Sequence, residues 1–186
     1  LNSLVRQLSK KSSLTPGQQN WLNTIMDKYN PEFIELERLW KNSFSDVHRS
    51  QALKVAAYYR SNPPYYSNYI HRIDVDPVGF VLTRREWDKF CGNKYAKKVL
   101  ETYDLSPKFS KNDCVQVRAN NRLDLANVEN RSIRRNDLKD RVGFILELDA
   151  KPVTRAAKGS RIYRVLLSGT TSPIYAHESD LKKKKT

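Results

Sequence analysis

Leu105-Ser106-Pro107-Lys108-Phe109-Ser110-Lys111-Asn112-Asp113-Cys114-Val115-Gln116-Val117-Arg118 is the stretch on which the reading of the fold turns. Before it, apolar residues recur at helical spacing, as on one face of a coil of 3.6 residues per turn. Within it, Val115 and Val117 alternate with Gln116 and Arg118, the two-residue period of a half-buried strand. Ser106-Pro107 separates the two regimes, because proline cannot donate a backbone hydrogen bond and turns the preceding residue away from the helical region. The chain therefore reads as α+β. Residues 1–104 form a helical domain, residues 107–182 a strand-rich domain and residues 183–186 a basic tail, with the switch close to Pro107.

On the N-terminal side, Leu1, Leu4, Val5 and Leu8 follow the i, i+3, i+4, i+7 pattern. Thr15, Pro16 and Gln18 then make a capping box with proline at the first helical position. The helix they open presents Trp21, Leu22, Ile25, Met26 and Tyr29 on one side, and Asn30-Pro31 ends it. A third helix starting near Pro31 is expected to turn Phe33, Leu36, Leu39 and Trp40 inward and Glu32, Glu35 and Arg38 outward. Ser45 can cap a fourth, in which Leu53, Ala56 and Ala57 allow close packing, and Asn62-Pro63-Pro64 stops it. Beyond the loop Asp74-Val75-Asp76-Pro77, a second capping box, Thr83 with Glu86, opens a helix carrying Trp87 and Phe90. Gly92 interrupts it, and Tyr95, Val99, Leu100 and Tyr103 mark a last helix.

On the C-terminal side, short apolar runs are separated by polar turns, the pattern of a small antiparallel barrel. The first strand is Phe109–Arg118. Arg141-Val142-Gly143-Phe144-Ile145-Leu146-Glu147 is the second, with a glycine suited to tight curvature. Tyr163-Arg164-Val165-Leu166-Leu167 is the third, and Ile174-Tyr175-Ala176-His177-Glu178-Ser179-Asp180-Leu181 the last. In that order, over residues 107–182, these segments resemble a KOW/Tudor-like small β-barrel. The resemblance implies a module that binds RNA, DNA, ribosomes, polymerases or other proteins, and fold alone does not choose among them. The polar stretch from Ala119 to Asp140 is longer than usual for such barrels and reads as an extended loop.

Charge narrows the choice. The 186 residues include 34 Lys+Arg and 20 Asp+Glu, a net charge of +14. Residues 107–186 hold 18 basic and 9 acidic side chains, residues 1–106 hold 16 and 11, so the excess lies on the strand half. A field of this sign attracts polyanions. Two segments concentrate it: Arg118, Arg122, Arg131, Arg134, Arg135, Lys139 and Arg141 in one, Arg155, Lys158 and Arg161 beside Gly159 and Ser160 in the other, with Arg164 following. Guanidinium forks next to small polar residues suit phosphate contacts, although loop charge also serves simply to solvate a surface. Arg118, Arg122, Arg131, Arg134, Arg135, Lys139, Arg155, Lys158, Arg161 and Arg164 are the candidate nucleic-acid-binding set. Lys182 to Lys185 read as a disordered tail adding non-specific affinity. The Tyr58-Tyr59 and Tyr65-Tyr66…Tyr69 cluster could stack bases, but tyrosines flanking Pro63-Pro64 more often pack a helix junction, which is the favoured reading.

Nothing in the sequence points to catalysis. There is no HExxH, GxSxG or P-loop pattern, and Asp74 and Asp76 before Pro77 read as turn chemistry rather than metal ligands. Cys91 and Cys114 are far apart, without CxxC spacing, and read as free thiols in a reducing compartment. No cofactor or metal is expected. No apolar run reaches membrane-spanning length, and the first residues are too polar and too short to read as a signal peptide. Leu14-Thr15-Pro16 with Gln18 and Trp21 resembles the leading segment of small uncharacterised tailed-bacteriophage proteins, which implies a viral protein in the cytoplasm of a bacterial host. The expected function is a non-catalytic nucleic-acid-binding accessory protein. The alternative is a protein-interaction module docking on a polymerase, a ribosome or a virion component.

Overall fold

The computed structural model describes residue 9, residues 14–121, residue 123 and residues 134–184. Among these residues, six α-helices precede a five-stranded antiparallel sheet: α1 Pro16–Tyr29, α2 Pro31–Ser43, α3 Asp46–Arg60, α4 Ser67–Val75, α5 Arg84–Phe90, α6 Lys94–Asp104, β1 Cys114–Val117, β2 Val142–Lys151, β3 Ile162–Leu167, β4 Ile174–His177 and β5 Leu181–Lys183. The helix expected from Leu1, Leu4, Val5 and Leu8 lies outside the described residues.

Local chemistry sets the helix starts. The Thr15 N–H donates to Gln18 Oε1 at 3.1 Å, and the Thr83 N–H donates to Glu86 Oε2 at 2.8 Å. Each threonine hydroxyl accepts the reciprocal backbone N–H, so both capping boxes form as the sequence requires. Asn93 caps α6 by accepting from the backbone N–H groups of Tyr95 and Ala96.

The helical core is built on α3 to α6. Val55, Ala56, Ile73, Leu82, Phe90, Ala96 and Val99 are fully buried in it. α2 joins this core only through its inner face, where Trp40 packs against it and Arg85 lies over the Phe33 ring. α2 has no buried residue, and Leu36 and Leu39 are about half exposed, as are Trp21, Met26 and Tyr29. The inward assignment of Leu36 and Leu39 is thus corrected: the periodicity is real, and α1 and α2 pack on each other, but both leucines remain about half exposed. Trp40 does turn inward, and its Nε1 donates to Leu82 O at 2.8 Å.

The sheet runs β4-β3-β2-β1-β5, antiparallel throughout. β1 is shorter than expected, but Phe109 before it is buried against Tyr163 edge-on, ring centroids 5.7 Å apart. β2 is longer than expected. Two register shifts interrupt its ladder with β3, and Asp149 within it takes a φ of 51°, so strict alternation is lost there. The expected last strand is broken in two by a short 3₁₀ turn, Glu178–Asp180. Lys182 and Lys183 belong to β5, paired with Gln116 and Val115 on β1, so the basic tail is shorter than the sequence reading gave it. Within the supposed loop before β2, Leu123 and Leu138 are fully buried in the sheet core and Arg135–Leu138 form a 3₁₀ turn.

Gly143 on β2 is the ladder partner of Leu167 on β3. A Cβ there would stand 2.2 Å from Leu166 O and 2.8 Å from Leu167 Cα, both main-chain atoms that cannot swing aside. Gly143→Ala should therefore destabilise by about 1–3 kcal/mol through overpacking. Thermal unfolding measures this, and an unchanged midpoint would mean that the strands separate freely at this point.

A polar seam joins the two halves. Tyr103 Oη accepts from Val153 N at 3.0 Å, Asn62 Nδ2 donates to Thr154 O at 3.0 Å, and Val153 is buried in the helical core. Arg161 lies within this seam, 5 % exposed. No helix among the described residues is long and apolar enough to cross a membrane.

Candidate nucleic-acid interface

The basic side chains proposed from sequence end in four different situations. Arg122 and Arg131 lie outside the described residues. Arg118, Arg134, Lys139 and Lys158 are exposed. Arg118 is also tied back to the sheet, its Nε donating to Leu181 O at 2.9 Å. Arg164 is exposed but faces Glu147 at 3.8 Å, which offsets its charge.

Arg161 does not belong in a phosphate-contacting set. Its guanidinium donates to Thr102 O at 2.8 Å and Leu105 O at 2.7 Å and forms an ion pair with Asp149. It ties off the carbonyl end of α6, where a cation is favoured, and pins that end to the sheet. A buried side chain with this many internal partners cannot reach a nucleic-acid backbone. Arg141, grouped with the loop arginines in sequence, is likewise internal in role: it donates to Asp137 O and Ser168 O.

Arg135 and Arg155 are brought together, and this the sequence did not show. They line one cleft of about 360 Å³ with Lys151, Thr154, Tyr175 and His177. The cleft arises where the end of β2 meets β3 and β4. Lys151 is the ladder partner of Ile162, and Ile162 is the partner of His177, so the three positions cross the sheet side by side. Tyr175 stands two residues before His177 and projects to the same face. Arg164 is opposite Tyr175 in the ladder but does not line the cleft.

The cleft's electrostatics follow from its lining. Arg135, Lys151 and Arg155 contribute three positive charges, and among the described residues no carboxylate lines the cleft. Of the described acids on β2, Asp149 pairs with Arg161 and Glu147 faces Arg164. Arg135 uses its Nε on Leu123 O at 3.0 Å, which holds the side chain against the sheet core. Lys151 Nζ sits 3.8 Å from the centre of the Tyr175 ring, a cation–π contact that places the ammonium over an aromatic face. His177 Nδ1 pairs with Ser160 O at 3.1 Å, fixing the imidazole at the cleft's inner side. Such a site can accept a phosphate through fork-like donors and offer a tyrosine ring beside it. Sequence reading found Arg135 and Arg155 through local charge density. It missed Lys151, Thr154, Tyr175 and His177, whose convergence depends on strand register.

The acidic pair near Pro77 is used structurally. Asp74 pairs with Arg60, and Asp76 Oδ1 accepts from Gly79 N at 2.8 Å. Among the described residues, no group of three His, Cys, Asp or Glu side chains is placed to hold a metal ion. Comparison with protein-family models, curated proteins and solved structures finds no match to this chain.

Proposed function

We propose that this chain is a non-catalytic accessory protein that binds nucleic acid through phosphate contacts in the cleft of Arg135, Lys151 and Arg155. The observation that carries the reading is the convergence of Arg135, Lys151 and Arg155 beside the Tyr175 ring in one cleft. The +14 net charge adds long-range attraction to any polyanion. The strand order β4-β3-β2-β1-β5, with only the turn Glu178–Asp180 between the edge strands β4 and β5, supports a sheet curled into a KOW/Tudor-like barrel. Binding of this kind is mainly electrostatic and weakly selective for sequence.

A second reading, docking on a protein, is favoured by one observation: Trp21, Met26, Tyr29, Ile34, Leu36 and Leu39 are all about half exposed or more on α1 and α2.

Affinity for a fluorescent oligonucleotide, measured across a salt series, separates the two. Replacing Arg135, Lys151 and Arg155 by Gln should lower affinity and reduce the slope of log K against log salt by about 2–3, about one for each lost phosphate contact. Equal affinity and equal slope for the triple variant and the wild type would reject the cleft and leave the protein-docking reading as the better one.

A further inference from the structure

A second cavity, also about 360 Å³, opens in the helical half. Tyr58, Tyr59, Tyr65, Tyr66 and Tyr95 wall it, with Lys94 at its edge. Its inner rings are held from behind. Phe90 packs against Tyr59 at 5.7 Å and against Tyr66 at 5.5 Å, and Tyr59 Oη donates to Asn93 Oδ1 at 3.0 Å. Tyr66 takes a φ of 61°, a left-handed backbone uncommon for an aromatic residue, and its ring is clasped between Tyr59 and Tyr69. Tyr65 and Tyr95 are 64 % and 48 % exposed and flank the opening. The packing expected of this cluster is therefore real, but it accounts for only one side of the rings.

The lining selects its guest. Tyrosine faces attract a flat π system. A cation would also be drawn to them, but among the described residues no carboxylate lines the pocket, and Lys94 Nζ already sits 5.0 Å over the Tyr95 ring. The guest that fits is planar and uncharged, tethered to an anion that Lys94 tolerates.

Position adds the decisive constraint. Asn62 lines the tyrosine pocket, Thr154 lines the basic cleft, and Asn62 Nδ2 donates to Thr154 O at 3.0 Å. One hydrogen-bonded pair thus separates the two cavities. A chain whose phosphate lies in the cleft brings a neighbouring base to the tyrosines, but only if that base is unstacked, which a duplex forbids.

We propose that the tyrosine pocket receives an unstacked nucleobase of a single strand whose phosphate occupies the adjacent basic cleft. This rests on the reading of the cleft as the phosphate site.

The test compares full-length protein with three probes of equal length: a single-stranded oligothymidine, the same strand with abasic sites, and a duplex. Wild type should bind the single strand about tenfold more tightly than the abasic strand, the effect of one stacked base. Tyr65→Ala with Tyr95→Ala alters two exposed rings and should remove that preference, leaving the abasic-strand affinity and the salt slope unchanged. Circular dichroism confirms that the variant is folded. Equal wild-type affinity for natural and abasic strands, or an unchanged preference in the double variant, overturns the base pocket while leaving the phosphate cleft standing. Failure of every probe to bind overturns both.

Discussion

Replacing Arg161 with Met is expected to lower the stability of the whole chain by about 2–4 kcal/mol, chiefly because backbone carbonyls at the end of α6 lose a buried charged donor, while the half-exposed Asp149 left behind is solvated. Three things are lost together. The carbonyls of Thr102 and Leu105 lose their donor at the end of α6, and Asp149 loses its counter-charge. The seam also loses the residue that fastens β3 to the last turn of α6. A buried carbonyl without a donor carries its full desolvation penalty, which is why the effect exceeds that of an exposed ion pair. For a chain of this size the midpoint should fall by roughly 10 °C. Arg161→Lys should recover only part of the loss, because one ammonium cannot span donors set out for a planar fork. Thermal unfolding of the three proteins checks this. A shift within about 2 °C of wild type for Arg161→Met would show that the seam does not depend on the guanidinium.

Arg161 also shows where sequence reading stops. It was grouped with Arg155 and Lys158 because the three lie within a short, polar, basic segment, and composition cannot tell a solvated arginine from a buried one. What separates them is contact with residues about 60 positions earlier in the chain. The same holds for Lys151 and Tyr175, which are unremarkable strand residues until register sets them side by side. The features that were legible are those decided within a few residues. Thr15 with Gln18 and Thr83 with Glu86 mark helix starts through their own hydrogen bonds, and the alternation at Val115 and Val117 marks the first strand. The length of β2 was hidden because its bulges and the left-handed Asp149 break the alternation that would have revealed it. Leu36 and Leu39 failed for a different reason. An amphipathic stripe states that a helix has an apolar face, but not that the chain supplies something to cover it.

Alkaline pH should unfold this protein in a defined window. Burial pushes the Cys91 thiol up from 9.0 to about 12. Burial likewise raises the Tyr59 phenol from 10.0 to about 12, against the opposing hydrogen bond to Asn93. Tyr58, Tyr103 and Tyr163 shift upward too, chiefly through burial, Tyr163 further because it donates to Glu178. A group whose folded pKa lies above its unfolded value keeps its proton longer in the native state. Its stabilising contribution is complete below the unfolded pKa and is lost as pH rises through the folded one. Cys91 begins this loss near pH 9 and the tyrosines near pH 10, so stability should hold through neutral pH and then fall with increasing steepness. For Cys91 alone, the shift corresponds to about 4 kcal/mol by pH 12, of which about 1.4 kcal/mol is gone by pH 10. In that first interval the midpoint should drop by roughly 4 °C from the thiol alone. Cys91→Ala removes the titrating group and leaves a small cavity, so it should start lower at neutral pH but decline less between pH 8.5 and 10. Above pH 10 both proteins fall as the buried phenols titrate, and wild type falls more steeply still, because the thiol keeps losing its contribution until about pH 12. Calorimetric scans from pH 7 to 11 on both proteins measure the difference, and parallel curves between pH 8.5 and 10 would show that the Cys91 thiol is not held protonated by the helical core.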